Sequence, residues 1–299
     1  MNEQLSRRTA LVMFALVIFA WGFNWTVTKV LVRDVTPLWM TAIRSAIALV
    51  LLLVLMLATR SLRLPRRGDL PVVFNIALLH MSAFAILMAL GLMHVPAGRS
   101  IVLGFTTPLW VIPGAMLFLG ERMTPMRAVG VTMGMGGLAL LFNPLAFDWG
   151  DSRALLGNGL LLLAAFCWAI SILHLRAHKW QSTPYELVFW EVLLATGVLA
   201  VAALLVEGLP RIDWDLRIGL LFLYGGVFGV ALAYWAMAMV SRSLPAVTTS
   251  LGVLATPVVG VLSAIVALGE PFSLALFAAL ALIIGGIAIG TLGGAPRPR

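Results

Sequence analysis

An all-α polytopic membrane protein, with ten transmembrane helices in two five-helix repeats of inverted topology, is the fold class this sequence predicts. Composition is the first reason. The chain is 62% hydrophobic and 11% charged, with a mean hydropathy of +1.05. Soluble domains hold roughly 45–50% apolar and ~25% charged residues, so lipid is the solvent that suits this surface. The second reason is ten apolar runs, each close to the about 20 residues that cross ~30 Å of hydrocarbon as a helix. The third is self-similarity. Pro96-Ala97, Thr107-Pro108, Gly120-Glu121 and Gly136-Gly137 recur at Pro245-Ala246, Thr256-Pro257, Gly269-Glu270 and Gly285-Gly286, always 149 residues later. Such a period marks an internal duplication.

The first run, 9–31, follows Ser6-Arg7-Arg8 and continues into Trp21-Gly22-Phe23-Asn24-Trp25. No small-x-small cleavage site follows it, so it reads as a retained helix and not as a removed signal. Runs 37–58 and 70–92 begin after Arg33-Asp34-Val35-Thr36-Pro37 and after the basic stretch Arg63–Asp69. Runs 96–119 and 124–143 complete the first half, 1–146. The second half, 147–299, supplies 154–176, 184–206, 214–240, 244–267 and 272–293, punctuated by Ser182-Thr183-Pro184 and Gly208-Leu209-Pro210. Most gaps are too short for a soluble domain, so neighbouring helices are antiparallel. Near the start of each half, Phe19-Ala20-Trp21-Gly22 matches Phe166-Cys167-Trp168-Ala169, and Thr36-Pro37 matches Thr183-Pro184. Five helices per half is an odd number, so equivalent helices cross in opposite directions. That inversion is a common architecture of secondary transporters.

Charge sets the orientation. With both termini cytoplasmic, thirteen Lys and Arg fall on that side and six on the other, four of the thirteen in the loop Arg60–Arg67. The net charge of +8 does not point to nucleic acid, because the basic residues are scattered through short gaps and no nucleic-acid motif is present. The single Cys167 excludes an intrachain disulfide.

Trp21-Gly22-x-Asn24-x4-Lys29, Arg44, and Pro96-Ala97, Thr107-Pro108 and Gly120-Glu121-Arg122 with their second copies resemble the drug/metabolite transporter superfamily, specifically its EamA-type members. The resemblance covers nearly the whole chain. It implies a bacterial inner-membrane exporter of amino acids and related metabolites, in some members aromatic amino acids. Pro271 stands where the first copy has Arg122, a small departure.

Several residues are candidates for the transport path. Pro108 lies ~18 Å into the fourth run, near mid-bilayer, and Pro257 takes the matching place in the ninth. Each removes a backbone donor and kinks its helix; proline is common in membrane helices, but matched midplane positions favour hinges beside a cavity. Thr107 and Thr256 adjoin them. Trp21 and Trp168 are repeat equivalents, as are Asn24 and Ser171, and could wall a pocket for an apolar or aromatic substrate. Tyr224, Thr248 and Ser250 add polar contacts.

Ionisable groups inside a membrane are functional candidates by default. Arg44 and its repeat equivalent Glu191 each lie ~10 Å deep from opposite faces, too far apart for a direct pair, so each is expected to have its own partner. Arg44 suits an anchor or a cavity charge, and Glu191 suits proton coupling. His80, close to mid-membrane, suits a substrate contact, a proton acceptor or a helix-to-helix hydrogen bond. Lys29 snorkels or meets a substrate carboxylate. Glu121 and Glu270 read as helix-end or gate elements. His174 and His178 fall at the interface, and Trp39, Trp149, Trp180, Trp190 and Trp214 fit the aromatic belt. Gly130 and Gly134, like Gly286 and Gly290, have small-x3-small spacing for close packing inside a monomer or across a homodimer.

The reading is therefore a secondary active exporter working by alternating access on a small-molecule substrate, with no cofactor. The chain has no Gly-x4-Gly-Lys-Ser/Thr phosphate loop, so energy comes from an ion gradient, protons included, or from the substrate gradient. An intramembrane enzyme would need a nucleophile–base set or a metal cluster. A channel would need charge rings or a carbonyl filter. No His/Cys/Asp/Glu set has metal-ligand spacing.

Overall fold

A computed structural model describes residues 5–94, 103–142, 152–268 and 274–292, and these are all-helical with no strand. The helices, in order, are α1 (Arg7–Leu31), α2 (Pro37–Ala58), α3 (67–92), α4 (Thr107–Phe118) and α5 (Pro125–Phe142). The second half gives α6 (Ser152–Ala177), α7 (Pro184–Glu207), α8 (216–243), α9 (246–268) and α10 (Leu274–Leu292). Among the described residues, seven helices are long and apolar enough to cross a membrane, and Thr107–Phe118 and Phe277–Gly290 are shorter apolar ones.

Local chemistry sets the ends. Ser6 accepts from the Thr9 N–H to start α1. Proline at the first position starts α2 and α7, where it forfeits a donor that would be unpaired anyway. Thr183 and Glu186 form a reciprocal capping box at α7. The far end of α7 caps a helix of the other half, because the Glu207 carboxylate accepts from the Leu38 and Trp39 N–H groups at 2.9 and 3.0 Å.

Four helices depart from the continuous α-helices expected. In α3 the segment Asn75–Ala83 is π-helical, and in α8 the segment Gly225–Leu232 is too. These segments occupy matching places in the two halves. The ninth run is broken at Leu254, between Ala246–Val253 and Ala255–Leu268. In the first half, Phe105 and Thr106 interrupt the helix ahead of Thr107. Pro108 and Pro257 therefore stand in the first turn after a break, where a missing N–H costs little, rather than inside an uninterrupted helix.

The halves interleave. α5 packs on α10, α2 on α7 and α8, α3 on α6 and α7, α1 on α8 and α9, and α4 on α6 and α9. The α5–α10 contact rests on the glycine pairs inside one chain, where a Cβ at Gly130 would lie 2.5 Å from the Gly286 carbonyl oxygen. At the end of the bundle where α1 begins, Ala10, Phe14 and Val17 pack with Met237, Val240, Val247 and Leu251 in one continuous core.

Candidate functional site

α1, α2, α3, α6 and α8 with the breaks near Phe105 and Leu254 enclose a cavity of about 210 Å³. Pro37, the first residue of α2, and Ala89, near the end of α3, are part of its wall, so it reaches the end of the bundle opposite the chain's N-terminus. Aromatic rings form its inner part. Trp21 and Trp168 meet edge to face at 5.8 Å between centroids. His80 stacks on Trp168 at 5.2 Å and approaches Tyr234 at 4.9 Å, and Phe84 and Phe105 also meet Trp168 edge to face at 5.2 and 5.9 Å. Edge-to-face and offset rings at these spacings attract beyond their buried area.

The π segments position this box. His80 and Met81 enter the cavity from one, Gly225, Gly229 and Val230 from the other. The Trp21 Nε1–H donates to the Gly229 carbonyl, within the second π segment, at 3.1 Å. Such insertions are frequent at functional sites.

Arg44 supplies the charge. Its Nη1 donates to Asn24 Oδ1 at 3.0 Å and Thr28 Oγ1 at 3.3 Å, and its Nη2 to Thr41 Oγ1 at 3.4 Å. Asn24 and Thr28 are one turn apart on α1 and so share a face. Gly225 makes room, since a Cβ there would collide with the Arg44 side chain. Arg44 is thus a cavity charge with no ion-pair partner among the described residues.

Of the residues expected in the cavity, Trp21, Asn24, His80, Trp168 and Thr256 line it. Thr107, Ser171, Tyr224, Thr248 and Ser250 do not. Thr107 Oγ1 donates back to Gly104 O at 3.3 Å, and Ser250 Oγ to Val247 O at 3.0 Å, as hydroxyls do in packed helices. Thr248 and Ser171 are buried elsewhere, and the Tyr224 hydroxyl donates to Ala20 O at 3.2 Å. Glu191 is buried and neither carboxylate oxygen has a partner among the described residues, contrary to the partner expected for it. The Glu121 carboxylate receives the Ala246 and Val247 N–H groups at 2.7 and 3.3 Å, joining the end of α4 to the start of α9. Glu270, its repeat counterpart, and the Lys29 side chain lie outside the described part of the chain, as do Pro96, Ala97 and Trp149.

Two residues assigned to the interface are buried at the bundle's end. Asp69 is fully buried and accepts from His178 Nε2 at 2.9 Å and from the Gln181 N–H at 3.0 Å. Trp180 is buried beneath the Arg242 guanidinium, 4.9 Å from its ring centroid. His178 and Trp180 therefore join the loops at the end away from the cavity mouth. No group of three His, Cys, Asp or Glu among the described residues is placed to hold a metal. Sequence reasoning missed Tyr234, Phe84, Phe105, Thr28 and Thr41. Phe84, one turn after His80, was the most legible of these.

The comparisons agree with this architecture. The model of the EamA-like transporter family matches the chain twice, over residues 8–143 and 155–292. The uncharacterized transporter YvbV of Bacillus subtilis is 27% identical over 97% of this chain and 93% of its own. The probable amino-acid metabolite efflux pump of Escherichia coli is 27% identical over 94% of both chains. The uncharacterized inner membrane transporter YedA of Escherichia coli is 28% identical over 94% of this chain and 90% of its own. One crystal structure shares the fold, with a TM-score of 0.80 at 22% identity, over 96% of this chain and 98% of that one. With apolar helices throughout and one family model matched over both halves, the chain is a multi-pass membrane protein that belongs to the EamA-like transporter family.

Proposed function

We propose that the chain is a secondary active exporter of small metabolites with an apolar or aromatic body, amino acids among them, and that it works by alternating access in a bacterial inner membrane. The observation that carries this is the cavity itself. It lies where the two half-chains meet, opens toward one end of the bundle, and is backed at the other by the Phe14–Val247–Leu251 core and the Glu121 clamp. A carrier caught facing one side has this form.

Two five-helix repeats, 1–146 and 147–299, crossing in opposite directions, account for further features. Exchanging α1–α5 with α6–α10 turns the main helix pairs into one another: α1 on α9 becomes α6 on α4, and α2 on α8 becomes α7 on α3. The matched π segments and matched breaks support the same symmetry. With the termini cytoplasmic, as the Lys and Arg distribution favours, the cavity faces outward.

Purified protein in liposomes is expected to exchange labelled substrate inside for unlabelled substrate outside. Absence of such counterflow across a broad metabolite panel, with the fold intact, contradicts the proposal. Glu191 and His80 are the groups available for proton coupling, and transport indifferent to an imposed pH gradient removes that role from both.

A further inference from the structure

The fixed charge around the cavity is one-sided. Among the described residues, the hydrogen bonds from Arg44 go to uncharged oxygens, those of Asn24, Thr28 and Thr41. Its Nε is buried without a partner among the described residues. No described residue of the cavity wall carries a carboxylate. A cation held inside a membrane protein with no counter-ion is unfavourable, and removing or supplying its partner changes binding strongly. Two further donors point to the same need for acceptors. Trp168 Nε1 and Thr256 Oγ1 belong to the wall, are buried, and have no partner among the described residues.

We infer that Arg44 receives the carboxylate of an apolar or aromatic organic acid, and that the site provides no counter-charge for an α-ammonium group; this rests on the transport reading of the cavity given above. The guanidinium is suited to a carboxylate because its parallel N–H groups match two oxygens. In an amino acid, the ammonium and the carboxylate are attached to the same carbon. A carboxylate seated on Arg44 therefore holds the ammonium close to the guanidinium, where like charges repel with little screening by solvent. The ammonium also gives up water without finding an anion, and Asn24 Oδ1 already accepts from Arg44. Deleting the amine removes both penalties and leaves the carboxylate contact. The volume of about 210 Å³ is below the roughly 300–1,000 Å³ of sites for drug-sized ligands, so an acid with one ring system is the size class.

The test uses the purified full chain and three ligands of one shape: 3-phenylpropionate, L-phenylalanine and phenethylamine. Binding is followed through the fluorescence of the cavity tryptophans and through thermal stabilisation. The expected order is 3-phenylpropionate at least about tenfold tighter than L-phenylalanine, and phenethylamine without binding. Arg44→Gln is expected to weaken 3-phenylpropionate by roughly tenfold to a hundredfold, the effect of one hydrogen bond to a charged group, and Arg44→Lys to retain part of the affinity. Equal or tighter binding of L-phenylalanine, unchanged affinity in Arg44→Gln, or no binding of any of the three overturns the inference. If Arg44→Gln does not fold, the order of the three ligands on the unmodified protein decides. Counterflow separates the two readings. Exchange of L-phenylalanine but not of 3-phenylpropionate overturns the inference and leaves the transporter standing. Binding in the expected order without counterflow of any metabolite upholds the inference about the cavity and strikes the transporter.

Discussion

Replacing Glu121 by alanine is expected to loosen the closed end of the bundle. The carboxylate accepts the Ala246 N–H at 2.7 Å and the Val247 N–H at 3.3 Å, both at the start of α9, and neither donor has an intrahelical partner there. A hydrogen bond to a charged group contributes about 1.5–3 kcal/mol, and a negative charge at a helix N-terminus about 0.3–1 kcal/mol. Because the second bond is long and Glu121 is partly exposed, the lower values apply, and the clamp contributes about 2 kcal/mol in all. That corresponds to roughly thirtyfold in an equilibrium between closed and open ends. The readout is a cysteine at Thr249, which is fully buried next to the clamp, in a Cys167→Ser background. Its rate of reaction with a maleimide in purified protein reports opening. Glu121→Ala is expected to raise that rate by about thirtyfold, with Glu121→Gln between it and the parent. Equal rates in all three proteins would refute the idea that this contact holds the end shut.

His80→Ala and Trp168→Ala should each lower transport at least about tenfold at unchanged expression, with Trp168→Phe milder because a ring remains against His80; normal rates in both alanine variants displace the proposed pocket. Gly130→Ala should destabilise the protein by about 1–3 kcal/mol, read by thermal unfolding, because the backbone of α10 cannot yield to a new Cβ. Gly136→Ala, where a Cβ meets nothing within 4 Å among the described residues, should stay within about 0.5 kcal/mol. Asp69→Ala leaves His178 and the Gln181 N–H without their acceptor and should cost about 3–5 kcal/mol by the same measurement.

Much of the architecture was legible because it depends on local composition and repetition. Apolar runs, proline starts and the half-length period need no knowledge of packing. The Trp21–Trp168 pair was legible for the same reason, since both copies lie near the middle of their helices, where inversion leaves equivalent residues at similar depth. The rest depends on which side of a near-symmetric molecule is open. Asn24 and Arg44 line the cavity, whereas their repeat equivalents Ser171 and Glu191 are buried without partners among the described residues. Sequence treats those pairs as equals, and only the conformation separates them. The π segments were illegible because the inserted residue is stabilised by tertiary contacts, such as Trp21 with Gly229, and not by any residue type. Tyr234 reaches the box from a helix, and Phe105 from a break, whose approach the spacing of apolar residues does not fix. The burial of Asp69 under His178 was hidden by the loop's basic composition, which reads as solvent-facing.

The alternation of access is tested most directly by two distances measured together in one reconstituted protein by pulsed electron spin resonance. One spin-label pair spans the cavity end, at Arg33 and Met93, and the other spans the opposite end, at Arg8 and Arg122; all four residues are exposed. Changing the substrate or proton conditions is expected to shorten one distance as it lengthens the other. Two distances that change in the same direction, or that never respond in a protein that transports, would contradict alternating access.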